Sequence, residues 1–263
     1  MDERVVVSPG WLADRLDDSD VRVVDVRDEW EYEAMGHVPG AVNVPFDAFR
    51  DDGNADRGTL PGPTAFARLM STAGIGPEDT IVAYDDMHGV FAARLYVTAM
   101  EYGHRDVRLL DGDYSSWQRL HPTATDRPAV DAADYEPRPL DPADSPLVDR
   151  ETVAAALEDD DVLLLDTRDP EEFDAGHLPD GVRFDWQATV DDETRRLRPA
   201  EELETLFADH GVTRDRPVLL YCNTARRISH TFVVLRGLGF EDVAFYEGSL
   251  TEWLAADGVV ETD

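Results

Sequence analysis

The sequence predicts an α/β protein built of two similar domains, each a mostly parallel sheet flanked by helices on both faces. Three observations predict it. The chain repeats itself in order: Val23-Val24-Asp25-Val26-Arg27-Asp28 returns as Leu164-Leu165-Asp166-Thr167-Arg168-Asp169, and Gly36-His37-Val38-Pro39 returns as Gly176-His177-Leu178-Pro179. Residues 80–85 likewise match 217–222, and 110–117 match 246–253. A unit this long is a duplicated domain, not a solenoid repeat. Within each copy, short apolar runs alternate with amphipathic stretches, as in a parallel sheet covered on both faces. Between the copies, residues 122–146 hold six prolines with interspersed Asp and Ala and no apolar period, a linker composition. The predicted organisation is an N-terminal domain over 1–121, a linker over 122–147 and a C-terminal domain over 148–263.

The second copy reads most clearly. Residues 162–166 form a buried strand, and 170–175 a short helix opened by proline in its first turn. Residues 200–210 carry Leu203, Leu206 and Phe207 at helical spacing. A central strand follows over 218–221. A helix over 228–238 stops at Gly239, and a strand over 243–246 and a helix over 249–256 close the unit. Ligands of such sheets bind beyond the carboxyl ends of strands, and Cys222 falls at one.

Composition narrows the function. The chain has 57 acidic and 24 basic residues, a net charge of −33, and every basic residue is arginine. Recurrent apolar strands and 9% aromatic residues argue against an acidic disordered tail. A globular protein coated in carboxylates is expected, self-repelling in dilute buffer and screened in strong salt, where the Debye length falls to about 3 Å at 1 M. The composition resembles proteins of extreme halophiles. Nucleic acid is excluded as a partner by repulsion from phosphates. No run approaches the roughly 18 apolar residues of a membrane span. The charged start, Met1-Asp2-Glu3-Arg4, carries no signal-peptide pattern, so a soluble cytoplasmic protein is expected.

Cys222 is the single cysteine, so it forms no intramolecular disulfide and no multi-cysteine metal site. It lies between an apolar strand and Asn223-Thr224-Ala225-Arg226-Arg227, which runs into a helix. The unpartnered N–H groups and dipole of a helix start favour an anion, and neighbouring guanidiniums favour a thiolate. Arg226 and Arg227 supply planar forks for a tetrahedral oxyanion. The loop therefore offers a nucleophile and an anion cradle together, with Arg227 the arginine expected to meet substrate. The alternative is an ordinary buried cysteine, which needs no basic polar segment after it.

These residues carry a resemblance that spans essentially the whole chain. The Asp25-Val26-Arg27 and Asp166-Thr167-Arg168 segments, the Gly-His-aliphatic-Pro segments, the strand–cysteine loop and the closing Gly248–Trp253 stretch resemble a tandem-domain rhodanese. The resemblance implies a catalytic C-terminal domain and a degenerate N-terminal one, and Asp85 stands where the first copy would have its cysteine. It further implies that Cys222 takes sulfur from thiosulfate as a persulfide, with Asn223, Thr224, Ala225, Arg226 and Arg227 binding the donor. A thiol or cyanide then accepts the sulfur, without metal or organic cofactor. A 3-mercaptopyruvate enzyme and a persulfide carrier serving a partner protein are the alternatives. The loop departs from the glycine-containing loop of the mercaptopyruvate relatives and looks like a Cys-x-Thr-x-x-Arg variant. Four residues separate Cys222 from Arg227, one fewer than in related phosphatases. The family's lysine near substrate has no counterpart here. His37 and His177 are expected to be structural, and Asp166 with Arg168 a buried brace. Trp186 and Tyr221 fit either pocket or core, and Arg183 is a further group within conceivable reach of a donor anion.

Overall fold

The computed structural model describes residues 1–51 and 58–262. Its strands are β1 (Val6–Val7), β2 (Val21–Asp25), β3 (Val42–Asn43), β4 (Thr80–Tyr84), β5 (Val107–Leu110), β6 (Leu147–Val148), β7 (Leu163–Asp166), β8 (Val182–Arg183), β9 (Val190–Asp191), β10 (Arg196–Leu197), β11 (Val218–Tyr221) and β12 (Val243–Tyr246). Its helices are α1 (Pro9–Ala13), α2 (Glu29–Ala34), α3 (Pro63–Thr72), α4 (Val90–Glu101), α5 (Tyr114–Leu120), α6 (Arg150–Ala156), α7 (Pro170–Asp174), α8 (Ala200–Ala208), α9 (Arg226–Gly237) and α10 (Ser249–Ala255).

Two five-stranded sheets result, ordered β1-β5-β4-β2-β3 and β6-β12-β11-β7-β8, and every pairing within them is parallel. The orders are the same once the duplication is allowed for, so β4 and β11 hold the equivalent central place. Their residues after the first are buried throughout because both faces are covered. The loops carrying Asp85 and Cys222 leave from their carboxyl ends.

The two domains share a core. One apolar cluster runs from Val24, Phe66 and Leu95 to Leu165, Phe207 and Phe245, passing through α4 and α9, which pack on each other. Helix α4 is apolar nearly all round, with Val90, Ala92, Ala93, Leu95, Val97 and Ala99 buried, as a helix enclosed between two sheets must be. Smaller clusters around Trp117 and Trp253 cover the opposite faces.

Polar staples cross the same boundary. Buried Arg94 on α4 pairs with Glu247 after β12 and donates to Gly58 O at 2.8 Å. Between β7 and β11, a segment the periodicity left unassigned folds into the antiparallel hairpin β9–β10 and reaches the first domain. There Arg195 grips Asp113 at 2.6 Å and Arg196 grips Asp111 at 2.6 Å. The proline-rich segment is tied to the first domain: Arg138 N donates to Tyr102 O at 2.8 Å, and Tyr135 is buried against Phe66 and His104.

His230 lies at this boundary, on α9, fully buried beside His88 of the first domain, with the Trp186 ring 5.1 Å away. Burial, reinforced by His88 of the first domain, pushes its pKa down to about 3 from 6.5. Between these values the unfolded chain binds a proton that the folded chain refuses. This contribution is therefore complete above pH 6.5 and is lost as pH falls, at up to about 1.4 kcal/mol per pH unit. Urea midpoints of wild type and His230→Phe, taken at pH 7 and pH 5 in high salt, check it. The wild type should lose more stability over that interval.

Candidate functional site

Cys222 follows β11 and is 1% exposed. Its N–H donates to Ser249 Oγ at 3.2 Å, and that oxygen lies 4.0 Å from the sulfur while donating to Tyr246 O at 2.8 Å. Leu250 N donates to Cys222 O at 2.9 Å, so the start of α10 fixes the residue's backbone. Thr251 Oγ1 donates to Asn223 O at 2.7 Å. The turn then passes through Ala225, which is buried and left-handed at φ +65°, a costly conformation for a residue with a Cβ. That single residue starts α9 at once. The helix therefore begins two residues before the periodicity predicted, and Arg226 and Arg227 stand in its first turn.

The first domain repeats this turn with a ligand already in it. Gly89, left-handed at φ +85°, caps α4 as Ala225 caps α9. Asp85, at the place of Cys222, turns its fully buried carboxylate into the turn and accepts four backbone N–H groups: Met87 at 2.7 Å, Gly89 at 2.8 Å, Phe91 at 2.7 Å and Ala92 at 3.0 Å. Burial raises its pKa, and the four amides oppose that rise. Counting from the two helix starts, Gly89, Phe91 and Ala92 correspond to Ala225, Arg227 and Ile228. Among the described residues no acceptor occupies the N–H groups of those three. The turn that holds the Asp85 carboxylate in one domain has its counterpart after Cys222 in the other, where the sulfur's contact is with Ser249 Oγ. The first loop is one residue longer, five steps from Asp85 to Val90 against four from Cys222 to Arg226.

The two arginines differ. Arg227 is forked onto Glu172, at 2.5 Å to Oε2 and 3.0 Å to Oε1, and touches Asp169 at 3.2 Å. Burial disfavours its charge, but Glu172, Cys222 and Asp169 together hold its pKa above the ordinary value. Glu172 also accepts from Asn223 Nδ2 and from Asp169 N, and its pKa is drawn down to about 2, chiefly by Arg227. Arg226 is exposed and has no ion-pair partner among the described residues. It lines a cleft of about 450 Å3 together with Arg227, Trp186, Gln187, Asp169 and Glu172 of the second domain and Met87, Val90 and Phe91 of the first.

The remaining residues divide cleanly. Trp186 lines the cleft, whereas Tyr221 is buried with its hydroxyl accepting from Leu178 N at 3.2 Å. His37 and His177 stack on Tyr32 and Phe173 at 3.8 Å and hydrogen-bond to those residues' carbonyls, structural roles in both copies. Arg183 sits on the edge strand β8 and is not among the residues that line this cleft. Glu172 and Ser249 were not singled out by sequence. The only signal for Glu172 was its place after Asp169 in a helix-capping pattern, met again at Asp28 and Glu31. No group of three or more His, Cys, Asp or Glu arranged to hold a metal ion occurs among the described residues.

The chain is similar to known proteins over nearly its whole length. The chain is 30% identical to the sulfur carrier protein TtuD of Thermus thermophilus, over 95% of this chain and 93% of that one. It is 32% identical to a thiosulfate sulfurtransferase of Pseudomonas aeruginosa, with the same coverage. Among solved structures, SseA of Escherichia coli, described as a 3-mercaptopyruvate sulfotransferase, superposes with a TM-score of 0.82 at 25% identity, covering 93% of this chain and 98% of the other. Residues 8–120 and 149–256 each match the family described as the rhodanese-like domain, and the chain belongs to that family, with two copies of the domain.

Proposed function

We propose that the protein is a thiosulfate sulfurtransferase acting through a Cys222 persulfide, with 148–263 as the catalytic domain and 1–121 as a non-catalytic partner. The Cys222 thiolate attacks the outer sulfur of thiosulfate. The S–S bond of the donor breaks, and sulfite leaves with the bonding electron pair. In this reading the N–H groups of Ala225, Arg227 and Ile228 receive the outer sulfur of the persulfide, itself anionic, as the equivalent amides of the first domain receive the Asp85 carboxylate. A thiolate acceptor, or cyanide, then attacks that sulfur and Cys222 leaves as thiolate, which is covalent catalysis in two half-reactions. No step calls for a metal or organic cofactor. The observation that carries this reading is the Asp85 carboxylate seated on four amides at the equivalent turn. Arg226 is the guanidinium free to receive the donor's sulfonate end, with Thr224 and Asn223 shaping the turn beside it. The carboxylate-rich surface suits work in concentrated salt inside the cell.

Two relatives favour different finer readings. The likeness to SseA favours 3-mercaptopyruvate as donor, and the likeness to a sulfur carrier favours a protein as final acceptor. Rates on the two donors in molar potassium chloride, with cyanide as acceptor, separate them. The expected result is a higher kcat/KM on thiosulfate. A preference for mercaptopyruvate would reassign the donor. A persulfide that forms on Cys222 but discharges poorly to cyanide and small thiols would assign the carrier role.

A further inference from the structure

Glu172 is unusual among the acids around the site because it holds two residues of the Cys222 loop at once. One carboxylate oxygen takes Asn223 Nδ2 and Arg227, and the other takes Arg227 and the backbone N–H of Asp169. Its side chain is 31% exposed and that of Arg227 19%, so the pair is partly withdrawn from solvent. With Asp169 also on Arg227, two carboxylates meet one guanidinium. The Arg227 side of the cleft therefore offers an anion no net positive charge, and Arg226 is left to do so.

The duplication supplies an internal control. Glu31 occupies the same place in the same cap, accepting from Asp28 N at 3.1 Å just as Glu172 accepts from Asp169 N at 3.1 Å. Yet no hydrogen bond from Glu31 to the first-domain loop is present among the described residues. The reason is chemical: Phe91 stands at the place of Arg227, and Asp86, which follows Asp85 as Asn223 follows Cys222, is a carboxylate that would repel Glu31. Helix capping therefore accounts for Glu172's bond to Asp169 but not for its grip on Asn223 and Arg227, which exists only beside the thiol.

We propose that Glu172 is a positioning and selectivity residue of the sulfur-transfer site: it fixes the Cys222 loop through Asn223 and Arg227 and, by neutralising Arg227, limits how tightly an anionic donor is held. The proposal rests on Cys222 being the reactive nucleophile, and it concerns the local potential there. A bound sulfite or thiosulfate that also captured Arg227 would leave slowly. Occupying that fork with a permanent carboxylate favours release, so Glu172 weakens ground-state binding and sustains turnover.

The test uses the full chain with three substitutions, Glu172→Gln, Arg227→Gln and Glu31→Gln. Cys222 is alkylated with iodoacetate and with iodoacetamide, and the ratio of the two rates reads the local potential without any sulfur transfer. Removing the Glu172 charge should raise that ratio roughly three- to tenfold, and removing the Arg227 charge should lower it comparably. Glu31→Gln removes the equivalent capping carboxylate from the first domain and should shift it much less: Glu31 shares a cleft with Arg226 but makes no hydrogen bond to the Cys222 loop among the described residues. In steady state Glu172→Gln should lower KM for thiosulfate and lower kcat. An unchanged alkylation ratio in Glu172→Gln, or one shifted equally by Glu31→Gln, would overturn the proposal, as would a KM that rises. Sulfur loading of wild-type Cys222, followed by mass, reports separately on the persulfide mechanism, so failure of the one is not mistaken for failure of the other.

Discussion

Incubated with thiosulfate, the wild-type chain is expected to gain the mass of one sulfur atom on Cys222, whereas Cys222→Ser should gain none and lose cyanide-dependent thiocyanate formation down to the uncatalysed background. The expectation is this sharp because the chain has one cysteine, so no second thiol can take over or confuse the mass measurement. A hydroxyl in the same nest cannot stand in: it is far less ionised than a thiol at neutral pH and it cannot carry a sulfane sulfur. The substitution should leave the fold intact. Serine is smaller than cysteine, its hydroxyl finds donors in the turn, and the equivalent nest already accommodates the oxygens of Asp85. A melting curve close to wild type should therefore accompany the lost activity. Thiocyanate formation retained in this variant would remove Cys222 from the mechanism.

What the sequence made legible and what it hid follow from the range of the interactions concerned. The duplication and the three longer strands of the second sheet were readable because apolar periodicity and paired landmarks are local, whereas the two-residue strands β6 and β8 are too short to leave a period. The buried pair Asp166–Arg168 was readable because its partners lie two residues apart in a segment that recurs, and the structure shows the same pair at Asp25–Arg27. The start of α9 was misplaced by two residues because a left-handed alanine leaves no mark in composition; glycine at 89 does, alanine at 225 does not. The β9–β10 hairpin was hidden because its polar residues, Arg195 and Arg196, are selected by Asp113 and Asp111 more than 80 positions away rather than by any alternating pattern. Glu172 was hidden for the same reason: its local role as a helix cap is complete in itself, and its second role depends on Asn223 and Arg227, brought to it only by the pairing of β7 with β11. Both arginines stood out in the sequence and Arg227 was favoured for substrate; that Glu172 occupies its fork was not legible, because a guanidinium's availability is set by the acid that tertiary structure brings to it.

Asp166→Ala is expected to cost about 3–5 kcal/mol, the largest loss of stability among the substitutions discussed. Asp166 is completely buried, and Arg168 is 4% exposed. Arg168 donates to Asp166 through Nε at 3.0 Å, through Nη2 at 2.6 Å and through its own backbone N–H at 2.9 Å, and Nη2 also reaches Gly176 O at 2.7 Å. Removing the carboxylate leaves a guanidinium that can neither reach water nor give up its proton, which costs more than the pair contributes. Domains of this kind are stable by roughly 5–15 kcal/mol, so the variant should unfold at markedly lower urea. The sign of a second change distinguishes this cause from simple loss of packing. Asp166→Ala combined with Arg168→Met removes the stranded charge and should recover much of the loss, whereas two independent packing defects would add. The damage should also reach the site, because Arg168 Nη1 lies 3.5 Å from Asn223 Oδ1 and the brace stands immediately before Asp169 and Glu172. Sulfur loading of Cys222 in the folded fraction should therefore slow in Asp166→Ala, while Asp25→Ala, which strands Arg27 in the first domain, should lower stability by a similar amount and slow loading less. Equal slowing in both would mean that the second brace has no particular connection to the cysteine loop and serves the fold alone.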